Sequence, residues 1–102
     1  MTAIRRYAKR IVERFRPDAI YLFGSYANGT AHADSDVDLM VVMPARNPVD
    51  ESVRIRLDLP ATFPLDLLVC TPQKWQRRLD YGDSFVHEIA TRGKKLHDAR
   101  NP

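Results

Sequence analysis

An α/β domain with a short mixed sheet flanked by helices is the fold class this sequence predicts, and three observations carry it. Apolar runs at residues 18–23, 37–43 and Leu65–Cys70 read as strands. Stripes with helical spacing precede, separate and follow them. A Gly-Ser turn directly follows the first run and a pair of acids opens the second, so the polar residues sit at strand ends rather than in their middles.

Taken in order, Ile4, Tyr7, Ala8, Ile11, Val12 and Phe15 form one apolar stripe with the charges opposite. Thr2 is placed to cap this helix, and Pro17 ends it. Residues 18–23 follow as the first strand, with Ile20, Tyr21, Leu22 and Phe23 apolar on both faces, as in a covered strand. Residues 26–31 predict a helix of one or two turns, weakened at Gly29 and Thr30. The second strand spans 37–43, and Pro44 and Pro48 mark its exit loop. Between 49 and 59, Val53, Ile55 and Leu57 suggest a helix before Pro60 and Pro64 break the chain. In the third strand, Leu65, Leu67 and Val69 share one face, and Asp66, Leu68 and Cys70 the other. Asp66 is then an acid in an otherwise apolar strand, where an unpaired carboxylate is costly. Thr71 and Pro72 read as the cap and first residue of a helix running through Trp75, Leu79 and Tyr81. Ser84–Arg92 predicts a last helix carrying Phe85, Val86 and Ile89, stopped by Gly93.

At 102 residues and 44% apolar content the chain holds one core, so residues 1–102 are read as a single domain. The net charge of +3 comes mainly from the two ends, and the middle is the acidic part. Such an imbalance could serve an anionic partner, but basic residues on an amphipathic helix are more often its solvated face. The lone Cys70 excludes an internal disulfide and a zinc cluster, fits a reducing cytoplasm, and reads as a buried thiol. No apolar run reaches the ~20 residues of a membrane span, and the N-terminus lacks the apolar region of a signal peptide. A cytoplasmic protein without a membrane partner is expected.

The stretch from Leu22 to Leu39 carries the chemistry. If Asp36, Val37 and Asp38 are extended, both carboxylates lie on one face about 7 Å apart, while Val37, Leu39 and Val41 point to the other. Two acids at a strand mouth suit a shared hard cation. Gly24 permits a sharp turn, and the amides that follow it, with the Ser25 hydroxyl, can donate to phosphate oxygens. Gly24-Ser25, ten intervening residues, then Asp36-x-Asp38 leading into an apolar strand resembles the signature of the DNA polymerase β-type nucleotidyltransferases, and specifically the minimal nucleotidyltransferases. The resemblance runs from the first helix to Leu96 and implies the polymerase β-type nucleotidyltransferase fold. It calls for a third acid on a later strand, and Asp66 stands where that acid belongs.

What the resemblance implies is transfer of AMP from ATP by a magnesium-dependent nucleotidyltransferase. Asp36, Asp38 and Asp66 would be the catalytic acids and the metal ligands, two magnesium ions being expected, with Gly24 and Ser25 holding the phosphates. Asp66 is the candidate proton acceptor. Many minimal nucleotidyltransferases act as antitoxins to a helical toxin of the HEPN class, some by transferring AMP to a toxin tyrosine and others by binding alone. A HEPN-type toxin is therefore the expected partner, and direct nucleic-acid binding is not expected. A silent binding module and a small-molecule adenylyltransferase subunit are the alternatives. Asn28 stands where many relatives carry a basic residue, which removes one phosphate contact. His32, His87 and His97 lack ligand spacing and an obvious nucleophile; His32, in the loop between the turn and the acids, reads as a surface loop residue, with contact to a nucleotide as the alternative. Asp34 and Ser35 read as turn formers, and Trp75 as core or interface.

Overall fold

The two central strands of the sheet are apolar on both sides because helices cover both of its faces there. The computed structural model describes residues 1–100. Its elements are α1 (Thr2–Phe15), β1 (Ala19–Phe23), α2 (Ser25–Asn28), β2 (Val37–Val42), α3 (Pro48–Asp58), β3 (Leu65–Cys70), α4 (Pro72–Asp80), α5 (Ser84–Arg92) and β4 (Lys94–Asp98). The strand order is β3-β2-β1-β4. β1 runs antiparallel to β2 and β4, while β2 and β3 are parallel and joined through α3, so the sheet is mixed.

Alternation along the strands sorts two cores. Ile20, Leu22, Val37, Leu39, Val41 and Leu67 pack with Ile4, Ile11 and Ile55 on one face. Tyr21, Met40, Val42 and Cys70 pack with Trp75, Val86 and Ile89 on the other. Trp75 is buried, as its reading as core or interface expects, and stacks on Tyr21 with ring centroids 5.1 Å apart; Cys70 is buried, as the sequence predicts.

Several local expectations change. Thr2 is the first helical residue rather than the cap; Met1 holds the cap position without a side-chain bond, and its carbonyl accepts from the Arg5 amide at 2.9 Å. Thr71 caps α4 as expected, accepting from the Lys74 amide with Pro72 first in the helix, whereas Pro48, read as part of the exit loop, is the first residue of α3, which Asn47 caps by accepting from the Asp50 amide. α1 ends on Arg16 in the left-handed region, at φ 50°. Gly93 stops α5 for a reason other than a left-handed turn, since its φ is −71°. A Cβ there would run into the carbonyl oxygens of Ile89 and, at 2.8 Å, Leu22. β4 follows immediately and was not expected, because Lys94-Lys95-Leu96-His97-Asp98 has a single apolar residue and no strand propensity to speak of. The free edge of β1 makes it a strand, and the His97 ring also bonds the Pro17 carbonyl at 3.2 Å.

Candidate active site

Register builds the site. Phe23, the last residue of β1, faces Asp38, the second of β2, and Asp38 faces Asp66, the second of β3. Residues opposite one another in a ladder share a face, so Phe23, Asp38 and Asp66 form a row across three strands on the Trp75 side. Val37, Leu39 and Val41 point into the other core, as the alternation requires. Asp36 lies one residue ahead of β2, where the Val37 amide donates to the Pro64 carbonyl at 2.9 Å and ties the mouths of the two parallel strands together.

Asp66 is exposed, not a costly buried charge. β3 is an edge strand, and its Asp66–Leu68 face is open, with Leu68 36% exposed. Asp36 is also exposed, whereas Asp38 is half-buried in the middle of the row. Burial pushes the Asp38 carboxyl above the ordinary aspartate range, and the negative charges of Asp66 and then Asp36 push it further. Among the described residues the ion pairs join Arg14 to Asp58, Arg78 to Asp83, and Lys95 and Arg100 to Asp98; none reaches these three acids.

Gly24 closes the arrangement from β1. It adopts φ 75° and ψ −153°, and the space a Cβ would fill is taken by Oδ2 of Asp38. Only glycine fits against the carboxylate in this conformation. α2 follows as a single turn, its Ala27 and Asn28 amides donating to the Gly24 carbonyl at 3.1 and 3.0 Å. The Ser25 and Tyr26 amides, at the first helical positions, have no partner within the helix. The next loop is shaped locally, as expected of turn formers. The His32 amide donates to Ser35 Oγ at 2.9 Å, and the Asp34 amide to His32 Nδ1 at 3.3 Å.

Among the described residues no three His, Cys, Asp or Glu side chains stand ready-arranged around a metal position, so the acids are gathered at one strand mouth without forming a closed cage. Their chemistry nevertheless fits a hard divalent cation. Every donor is a carboxylate oxygen, and no arginine or lysine is paired with them.

A cavity of about 110 Å³ opens beside Gly24, lined by Phe23, Gly24, Asn28 and, from α5, Phe85, Glu88 and Arg92. Phe23 and Phe85 meet edge to face there at 5.7 Å. The sequence gives no sign of this neighbourhood, because α5 lies some sixty residues beyond the turn and reaches it only through the packing of α5 on β1.

Comparison with known proteins gives a consistent picture. Among solved structures, a Sulfolobus solfataricus protein provisionally designated a nucleotidyltransferase superposes with a TM-score of 0.68 at 15% identity, covering 98% of this chain and 81% of that one. A toxin–antitoxin complex with AMP-PNP gives 0.55 at 23% identity, and a mutant of the toxin–antitoxin pair MntA–HpeT gives 0.54 at 20%; each match covers 94% of this chain and 74% of that chain. At these identities the likeness shows the fold. No curated protein sequence matches significantly. The pattern of the nucleotidyltransferase domain matches residues 4–95, nearly the whole chain with its Gly-Ser turn and its three acids, and the protein therefore belongs to the nucleotidyltransferase domain family.

Proposed function

We propose that this nucleotidyltransferase domain transfers AMP from ATP to a tyrosine hydroxyl of a helical toxin of the HEPN class and so serves as its antitoxin. The carrying observation is the row Asp38–Asp66 with Gly24 packed against the Asp38 carboxylate, which sets the Gly24 turn beside the acids. Support for a toxin partner comes from the two toxin–antitoxin neighbours, one holding AMP-PNP. The other carries two Asp-to-Glu changes two positions apart, the spacing of Asp36 and Asp38 here.

In this reading the tyrosine oxygen attacks the α-phosphorus, the bond to the bridging oxygen breaks, pyrophosphate leaves, and the tyrosine proton passes to Asp66. Gly24, Ser25 and the Ser25 and Tyr26 amides hold the phosphate oxygens. Asp36, Asp38 and Asp66 would hold magnesium, which when bound offsets the charge of the acids and phosphates and acidifies the attacking hydroxyl. Positioning is the protein's main contribution. Asp66 lies on an open edge strand, where an acceptor carried by another protein can reach it.

The test is to incubate the protein with magnesium, ATP and the partner and to weigh the partner intact. One added AMP, lost with Asp36→Asn, is the expected result. Asp66→Asn should abolish transfer while sparing most nucleotide affinity, whereas Asp36→Asn should lower both. A tight but unmodified complex would instead assign neutralisation by binding alone.

A further inference from the structure

The segment that meets the phosphates carries no cation of its own. From Pro17 to Ala45 there is not one lysine or arginine, although this span contains Gly24, Ser25, Asp36 and Asp38. A polyphosphate laid on the turn would therefore meet carboxylates, backbone amides and hydroxyls, but no permanent positive charge from that segment. Magnesium offsets the acids; it does not supply the directed, charge-assisted hydrogen bonds that hold outer phosphate oxygens.

Arg92 is placed to supply them. It is the last residue of α5, and its position is fixed by the close approach of Gly93 to the end of β1, where the Leu22 carbonyl lies 2.8 Å from where a Cβ would be. Lys94 then pairs with Leu22, so the α5 terminus is locked two residues from Gly24 on the neighbouring strand. Arg92 lines the cavity that Gly24 and Asn28 also line. Its side chain is exposed and, among the described residues, in no ion pair. At about 110 Å³ the cavity falls well short of the roughly 300 Å³ or more usual for a whole small-molecule ligand, and suits a phosphate group with water. One feature opposes an anion: Glu88, one turn earlier on α5, lines the same cavity. Its carboxylate stands beyond ion-pair distance of Arg92 and so does not neutralise it.

We propose that the cavity between α2 and α5 is a phosphate subsite, in which Arg92 grips the pyrophosphate end of the nucleoside triphosphate and Glu88 limits how tightly it is held. This rests on the nucleotidyltransferase reading of the Gly24 turn and assigns the phosphate-binding cation to an element distant in sequence. The guanidinium fork matches two phosphate oxygens at once, which an ammonium cannot do. Release of pyrophosphate then requires breaking this grip, and the nearby carboxylate makes that easier.

Calorimetric titration with inorganic pyrophosphate, ATP and adenosine, all with magnesium, tests the assignment. Arg92→Ala should weaken pyrophosphate and ATP by about 10- to 100-fold, the range for lost hydrogen bonds to charged groups, and leave adenosine unchanged. Arg92→Lys should recover part of the loss. Glu88→Gln should bind pyrophosphate more tightly than the unmodified protein, an effect of opposite sign that a merely structural role of α5 would not produce. Unchanged pyrophosphate affinity in Arg92→Ala would overturn the subsite while leaving the proposed function standing. Equal losses for adenosine would show a structural effect and overturn it too. A parent protein that bound neither pyrophosphate nor ATP would remove both proposals together.

Discussion

At the scale of single residues, the contact that organises the site is a carboxylate lying where a side chain would be. Gly24 has no Cβ, and Asp38 uses that space; the Gly24 turn and the central acid are thereby one unit. Asp38 stays under strain of charge, since burial first and then Asp66 and Asp36 raise its pKa above the ordinary 3.8. A carboxylate whose folded pKa is raised favours folding when protonated, and that contribution is lost as pH rises through the folded value. At neutral pH ionised Asp38 therefore lowers stability. Asp38→Asn should raise the melting temperature at pH 7 while abolishing nucleotidyl transfer, and the gain should shrink at acid pH. Added magnesium should stabilise the parent protein and not the variant. A thermal melt series at pH 4 and pH 7, with and without magnesium, checks all three outcomes, and a lower melting temperature for Asp38→Asn at pH 7 would contradict this account.

At the scale of elements, the helix starts show how much short-range chemistry decides. Asn47, Thr71 and Asp83 cap α3, α4 and α5 through their side chains. Asp83 also accepts from Arg78 Nε at 3.0 Å, which joins α4 to α5 across the turn at Gly82. The Val86 amide first, and then Arg78, hold the Asp83 carboxyl below the ordinary 3.8. Here the sign is reversed: the stabilisation is present above the unfolded pKa and disappears as pH falls through the lower folded one. Asn caps a helix as well as Asp does, so Asp83→Asn should keep α5 and lose only the charge-dependent part. Melting temperatures of the two proteins should differ at pH 6 and converge below pH 4. α1 follows a different rule, since the Met1 carbonyl closes its first turn and Thr2 takes no capping role.

For the molecule as a whole, the sheet divides two cores, and the smaller one hangs on Trp75. It is 6% exposed, stacks on Tyr21 and packs with Met40, Val42 and Cys70, the residues that continue the acid-bearing strands. Removing a buried tryptophan side chain costs about 3–5 kcal/mol, against roughly 5–15 kcal/mol for the stability of a typical small domain. Trp75→Ala should therefore lower the urea midpoint sharply, read by circular dichroism because the only tryptophan is gone. It should also loosen the acid row from behind, so that magnesium-dependent nucleotide binding weakens before unfolding begins.

Much of this was legible in the chain because it depends on local rules. The period of two in Val37–Val42 fixes which residues point into each core, and the strand Leu65–Cys70 and the helix Ser84–Arg92 have the bounds their patterns predict. The Gly-Ser turn and Asp36-x-Asp38 are likewise patterns of neighbours, while Asp66 is picked out by the family resemblance and by its place in an apolar strand. What only the tertiary structure decided depends on contacts between distant segments. β4 is a strand because β1 offers an unpaired edge to Lys94–Asp98, whose own residues have little preference for one. Asp66 is exposed because β3 takes the sheet's outer position, a matter of strand order that no run of residues encodes. Arg92 reaches the cavity beside Gly24 because Gly93 lets α5 end against the Leu22 carbonyl; that proximity exists only after packing, when residues far apart in sequence have become neighbours in space.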